Sequence, residues 1–192
     1  MGKDASLKSP KEKVKELPIR KKLEMAEVLF SFLQHVQDKG YVAVDFYDGS
    51  IMYDFATHQT SICDIDFFKK APVVNDMGAD WFGTKRLKAP EEYIKGAVID
   101  EQTNLFTLGA LLFEFFGTFT GEEIGQRYVM SRFLPCDMTC WQLGEESFYV
   151  ASKAVSPDRR QRYATVREFW NAWEEAVAKL TGEEDLCKKE SL

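Results

Sequence analysis

The sequence predicts a mainly helical α+β fold: one globular domain with a small β-hairpin near its start. Three observations lead there. Leu105-Phe106-Thr107-Leu108-Gly109-Ala110-Leu111-Leu112-Phe113 is apolar all round, the pattern of a helix buried on every side. Two Thr-x-x-Glu starts, Thr120 with Glu123 and Thr165 with Glu168, open stretches with helical spacing. Residues 51–55 and 60–65 are short β-prone runs joined by a polar turn at Thr57-His58-Gln59, which reads as a hairpin.

The elements follow in order. Residues 1–17 are polar and lysine-rich and read as a flexible basic tail or linker. From Leu17-Pro18 a helix runs to Lys39. Ile19, Leu23, Ala26, Phe30 and Leu33 make one stripe, widened by Leu29 and Val36, and Gly40 is its natural stop. Tyr41-Val42-Ala43-Val44 is strand-like and leads into Asp45, ahead of the hairpin. Residues 67–99 have few periodic positions and read as loop, a length that usually means either function or a misread element. After the buried helix, a helix from Thr120 reaches about Arg132, Pro135 closes that region, and another helix covers about 144–155. The last begins at Thr165 with Val166, Phe169, Trp170, Trp173, Val177 and Leu180 on one face. Gly182 is expected to end it. The domain is therefore 18–181, with an acidic tail at 182–192.

Composition narrows the function classes. The 192 residues include 45% hydrophobic and 14% aromatic side chains, enough for a real core. The longest apolar run, 105–116, is too short to cross a bilayer, and nothing near Met1 has the pattern of a signal peptide. A cytoplasmic protein is expected. The net charge of −6 is split: residues 1–22 hold eight Lys/Arg against Asp4, Glu12 and Glu16, so the rest is strongly acidic. An acidic body argues against a nucleic-acid partner. The basic head is a solvated tail or linker, or else a contact for an acidic partner or membrane. Cys63, Cys136, Cys140 and Cys187 form no disulfide framework in a chain this long. Cys136 and Cys140 lack a second close pair to make a zinc site, with only His35 and His58 besides.

The chemistry lies in a series of short motifs. Gly83-Thr84 stands five residues ahead of Ala89-Pro90-Glu91. Upstream, Ala43-Val44-Asp45 is followed by Ser50 and the apolar Ile51-Met52. Cys63-Asp64-Ile65-Asp66-Phe67-Phe68 closes the hairpin. Downstream come Asn104-Leu105-Phe106-Thr107-Leu108-Gly109 and Ser156-Pro157-Asp158-Arg159-Arg160-Gln161-Arg162. In this order and at these intervals the motifs resemble the large lobe of Ser/Thr protein kinases, over roughly residues 18–181. The resemblance implies a mainly helical lobe whose hairpin carries the catalytic and magnesium carboxylates. Asp45 would orient the attacking hydroxyl. Ser50 would stand where a magnesium-binding Asn is usual. Asp66-Phe67 aligns with Asp-Phe-Gly and makes Asp66 a metal ligand, with Asp64 the alternative. Thr84 would hydrogen-bond Asp45. Asn104 would keep the accepting role of the usual Asp in the central helix. Arg162, or failing it Arg160, would pair with Glu91 and lock the lobe. Asp48 is a weaker candidate base, because the matching Asn position would be Tyr53.

The resemblance is eroded as well. Ala43 and Val44 replace His and Arg, so activity should not depend on phosphorylation of the segment ending at Glu91. Tyr47 replaces a Lys, removing a cation near the transferred phosphate. Phe68 stands in the glycine position. Residues 1–40 contain only Gly2 and Gly40, so no glycine-rich loop precedes the lobe. A large-lobe fragment or a natural half-kinase is expected, with ATP and Mg2+ serving the parent protein and bound weakly or not at all by this chain alone. Its partners would be a protein substrate or the missing small lobe, and an exposed apolar lobe face could drive self-association. Two other readings stay open: a pseudokinase that binds without chemistry, and a small-molecule kinase of the aminoglycoside-phosphotransferase type.

Overall fold

The structure, a computed structural model, describes the backbone of residues 8–189 and side chains from 8 to 179. Residues 1–7 of the basic tail and 190–192 of the acidic tail lie outside it, as do the side chains of Leu180 and Cys187. Among the described residues, six short strands run consecutively between two helices before them and four after, in a mixed α and β chain. α1 spans Pro10–Lys15, where composition alone reads a tail. Its cause is local: the Ser9 and Glu12 side chains cap each other's backbone, and Pro10 occupies the first turn, where its missing N–H costs nothing.

α2, Ile19–Asp38, buries Met25, Ala26, Leu29, Phe30, Leu33 and Val36, while Ile19 at the head of the expected stripe stays exposed. Gly40 follows at φ 70°, a left-handed turn that glycine adopts without a Cβ penalty. The chain then enters β1, Tyr41–Val42. The hairpin is β2, Ile51–Asp54, against β3, Gln59–Ile62, antiparallel with Ile51 opposite Ile62. The stretch expected to be loop contains β4, Lys69–Lys70, which pairs with β1, and β5, Val73–Val74. β5 pairs with β6, Val98–Ile99. β1, β4, β5 and β6 are only two residues long each, below what alternation of side chains can signal.

α3, Glu101–Phe116, is the spine of the domain. Every residue from Thr103 to Phe116 is buried. At about 1.5–3 kcal/mol for each Leu or Phe taken out of water, this helix is a leading contributor to the core. Gly109 lets α5, Glu145–Ala154, approach closely: a Cβ there would meet Ala154 and Val155 carbons at 2.9 Å. Trp141 lies 4.8 Å from Phe113 across the core. α4, Gly121–Val129, opens at the Thr120–Glu123 capping box. It stops short of Arg132 because Ser131 turns left-handed at φ 51°.

α6, Val166–Lys189, stacks Phe169 and Trp173 against Phe30 and Phe116. It runs through Gly182 rather than ending there. A mid-helix glycine costs about 1 kcal/mol relative to Ala, too little to stop a helix begun by this much packing. Its start is half a capping box: Thr165 Oγ1 accepts the Glu168 N–H at 3.1 Å, but the Glu168 carboxylate accepts from Ala164.

Candidate functional site

The site begins where β1 ends. Ala43, Val44 and Phe46 are buried, so they pin the loop to the core and leave Asp45 between them to face outward. The turn needs Asp45 in the left-handed region, at φ 62°. Asn104 of α3 holds this loop from below: its Oδ1 accepts the Ala43 N–H at 2.8 Å, and its Nδ2 donates toward the Tyr41 carbonyl at 3.4 Å.

The hairpin brings a second carboxylate. The Cys63 N–H donates to the Ser50 carbonyl at 2.9 Å, which carries the β2–β3 pairing one step past Ile51 and Ile62. The next residue, Asp64, leaves the ladder at φ 55°. Asp64 is the neighbour whose charge acts on Asp45. Asp66, the sequence's first choice, is exposed like Asp64 and sits in the turn that follows, where the Phe68 N–H bonds the Ile65 carbonyl. The register explains the difference. Asp64 follows directly on the last paired residue, whereas Asp66 is carried off by a turn that drives Phe68 onto Phe32 and Phe46. Ser50 is fully buried under its own turn, where its hydroxyl lies 3.4 Å from the Tyr47 N–H. A metal would have to displace that packing to reach it.

The third contribution comes from residues 83–92. The Thr84 hydroxyl makes no hydrogen bond to Asp45; the Gly83 amide is the backbone group that lowers the Asp45 carboxyl pKa. Gly83 adopts φ 99°, and this turns its amide into the site. Thr84 lines the same small cavity, of about 10 Å³, together with Asp45, Lys88 and Thr107. Burial raises the Asp45 carboxyl above the ordinary range, and Asp64 adds to this, while the Gly83 amide and the Lys88 ammonium work against it. Lys88 is buried, and its ammonium donates to the Trp81 carbonyl. Burial lowers its pKa. Glu92 is buried beside it, and its carboxylate accepts the Ala89 N–H at 2.7 Å. Desolvation pushes the Glu92 carboxyl up to about 8.

Below the site stands a brace. Arg162 grips Glu91 through two parallel bonds, Nη1 to Oε1 at 2.7 Å and Nη2 to Oε2 at 3.0 Å. The same guanidinium donates to the Ser156 carbonyl at 2.8 Å and the Gln102 carbonyl at 2.8 Å, and its face covers Phe106. The Thr103 hydroxyl donates to Glu91 at 3.0 Å. Burial alone would raise Glu91, but Arg162 holds its carboxyl below the usual carboxylate range. Exposed Arg160 instead pairs with half-buried Asp158.

Sequence reasoning missed Lys88, Glu92 and the Gly83 amide. Nothing local separates Lys88 from Lys85 or Lys95, and only the fold buries it. It also missed a charge cluster in which Arg127, fully buried, meets Glu114 at 2.9 Å. Arg127 follows Ile124 by three residues on α4, a spacing that marks an inward face.

Among the described residues, no group of three or more His, Cys, Asp or Glu side chains could hold a metal ion, and no helix is long and apolar enough to cross a membrane. Compared with known proteins, the chain matches no family model and no curated protein.

Proposed function

We propose that the chain is the large lobe of an ATP-dependent Ser/Thr protein kinase, in which Asp45 orients the acceptor hydroxyl and Asp64 holds magnesium. The observation that carries this reading is the meeting of distant segments: Asn104 bonds the Asp45 loop, Gly83 and Thr84 line one cavity with Asp45, and Glu91 pairs with Arg162. Phosphoryl transfer asks the protein mainly for positioning and charge, and a loop fixed from two sides meets the first need. The donor set fits magnesium of this kind. Mg2+ usually arrives with substrate phosphates and takes one or two protein carboxylates, so Asp64 beside Asp45 suffices without a preformed cage. ATP would supply the transferred group. Ser50 does not fit as a ligand, because its hydroxyl is buried within the turn. Tyr47 leaves the loop without its usual cation, which calls for slow chemistry.

The test is a magnesium-dependent rise in Tm with ATP, followed by phosphoryl transfer to a protein acceptor. Asp64→Asn should remove the magnesium response, and Asp45→Asn should keep it while losing transfer. An unchanged magnesium response in Asp64→Asn overturns the metal assignment. A second reading, a pseudokinase that binds partners without chemistry, draws on Ala43, Val44 and Tyr47 and on the buried Ser50. ATP binding without transfer by the wild-type protein would select it.

A further inference from the structure

A cavity of about 640 Å³ opens between α1, the turn at residues 47–49, β2 and the end of α3. Asp45 does not line it, and neither the resemblance nor the proposed chemistry uses it. Its body is apolar, formed by Val14, Met25, Ile51, Met52, Phe55 and Phe115. Size and lining both suit a small organic ligand. Lys11, Lys15, Arg86, Asp48 and Glu114 reach it as well.

The charges there do not balance. Glu114 receives Lys11 at 2.7 Å and Arg127 at 2.9 Å, with Arg86 at 3.3 Å. Asp48 receives Arg86, with Lys11 at 3.5 Å. Lys15 has no ion-pair partner among the described residues. Four cations therefore surround two carboxylates that are already engaged. Nη1 of Arg86 is buried and makes no hydrogen bond, only the 3.3 Å ion-pair contact to Glu114. A buried donor left without a hydrogen bond is costly, and a further anion would relieve it. A basic peptide would add another cation to the cluster, so its charge does not fit.

We propose that this cavity binds a small amphiphilic anion, its apolar body on the Val14–Phe115 wall and its carboxylate or phosphate head at Lys11, Lys15 and Arg86. Arg86 supplies planar paired donors, and the two lysines supply mobile ones. The site stands apart from the phosphotransfer reading and survives its failure.

The test is titration calorimetry on the whole chain with decanoate and decyl phosphate, each below its micelle concentration, and with decyltrimethylammonium as the cationic counterpart. Saturable binding of either anion at one site per chain is expected, and the tighter of the two identifies the head group. Lys15→Met should weaken binding about tenfold, while Lys15→Arg should keep it. Met52 is 57% exposed, so Met52→Trp should fill the cavity without harming the fold and cut binding by more than tenfold. Three results overturn the proposal: no saturable binding of either anion, decyltrimethylammonium binding as tightly as decanoate, or undiminished binding by Met52→Trp.

Discussion

The brace at Glu91–Arg162 and the loop at Asp45 lie in one small region and are built on opposite principles. In the brace every charge has a partner: two parallel bonds, two carbonyls, one hydroxyl and an aromatic face satisfy a buried guanidinium and carboxylate. At Asp45 the backbone is left-handed, a second carboxylate repels the first, and burial disfavours the Asp45 charge. The brace spends polar groups on stability. The loop gives up stability to hold a half-buried carboxylate among strained and repelling groups. Removing a brace residue should therefore destabilise the fold, and removing the Asp45 charge should not.

The largest expected effect is Arg162→Met, which leaves the buried Glu91 carboxylate without its counter-charge. A loss of about 3–5 kcal/mol in urea unfolding at pH 7 is expected. The double variant Glu91→Gln with Arg162→Met should recover a good part of it, because no unpaired charge remains buried. Additive losses in the double variant would mean that the pair is not coupled as its geometry implies.

Asn104→Ala comes next and tests whether the brace reaches the loop. It removes the acceptor of the buried Ala43 N–H, so about 1–3 kcal/mol should be lost. Hydrogen exchange should rise first at Ala43 and its neighbours. Exchange unchanged there would show that the loop is held by Val44 and Phe46 packing alone.

Much of this architecture was legible in the sequence. A run apolar on all sides can only be a central helix, so α3 was readable to within a few residues. The Glu91 pairing was readable only through the resemblance, which leaves Arg162 and Arg160 both open until the fold puts Arg162 on Glu91 and Arg160 on Asp158. Asp64 and Asp66 stand as alternatives, because two acidic residues in Asp-Ile-Asp look alike in sequence, and only the hairpin register shows that Asp64 follows directly on the last paired residue. Lys88 and Glu92 were not readable, because their burial depends on contacts with residues 79–83 that spacing does not encode. α1 was masked by charge: Ser9, Pro10 and Glu12 carry a clear helix start, but the surrounding lysines give the composition of a tail.

Glu92 lies on the boundary between the two regions and gives a pH test. Its carboxyl is raised to about 8 in the folded protein, against an ordinary unfolded value of 4.5. Between those values the folded state holds a proton that the unfolded state releases. Its contribution to stability is therefore full below about 4.5 and is lost as pH rises through about 8. Glu92→Gln keeps an acceptor for the Ala89 N–H and removes the ionisation. The variant should match wild type near pH 5 and exceed it by on the order of 1–2 kcal/mol at pH 8.5. Parallel stability curves across that range would show that Glu92 is charged in the folded state.

The smallest effect carries the most meaning. Asp45→Asn keeps an oxygen for the Gly83 amide and removes the charge that burial and Asp64 oppose. The Asp45 carboxyl is raised in the folded state, so its ionised form weighs against folding as pH rises above the ordinary carboxylate range. At pH 7 the variant should be as stable as wild type or more so, within about 0.5 kcal/mol, because the side chain is partly exposed and solvent screens it. The difference should fade as pH falls and both forms become neutral. If the proposed chemistry holds, the same substitution abolishes phosphoryl transfer, separating function from stability at a single carboxylate. A clear loss of stability on Asp45→Asn would instead make Asp45 part of the brace, a capping residue for the loop, and the comparison between the two regions would fail at its central residue.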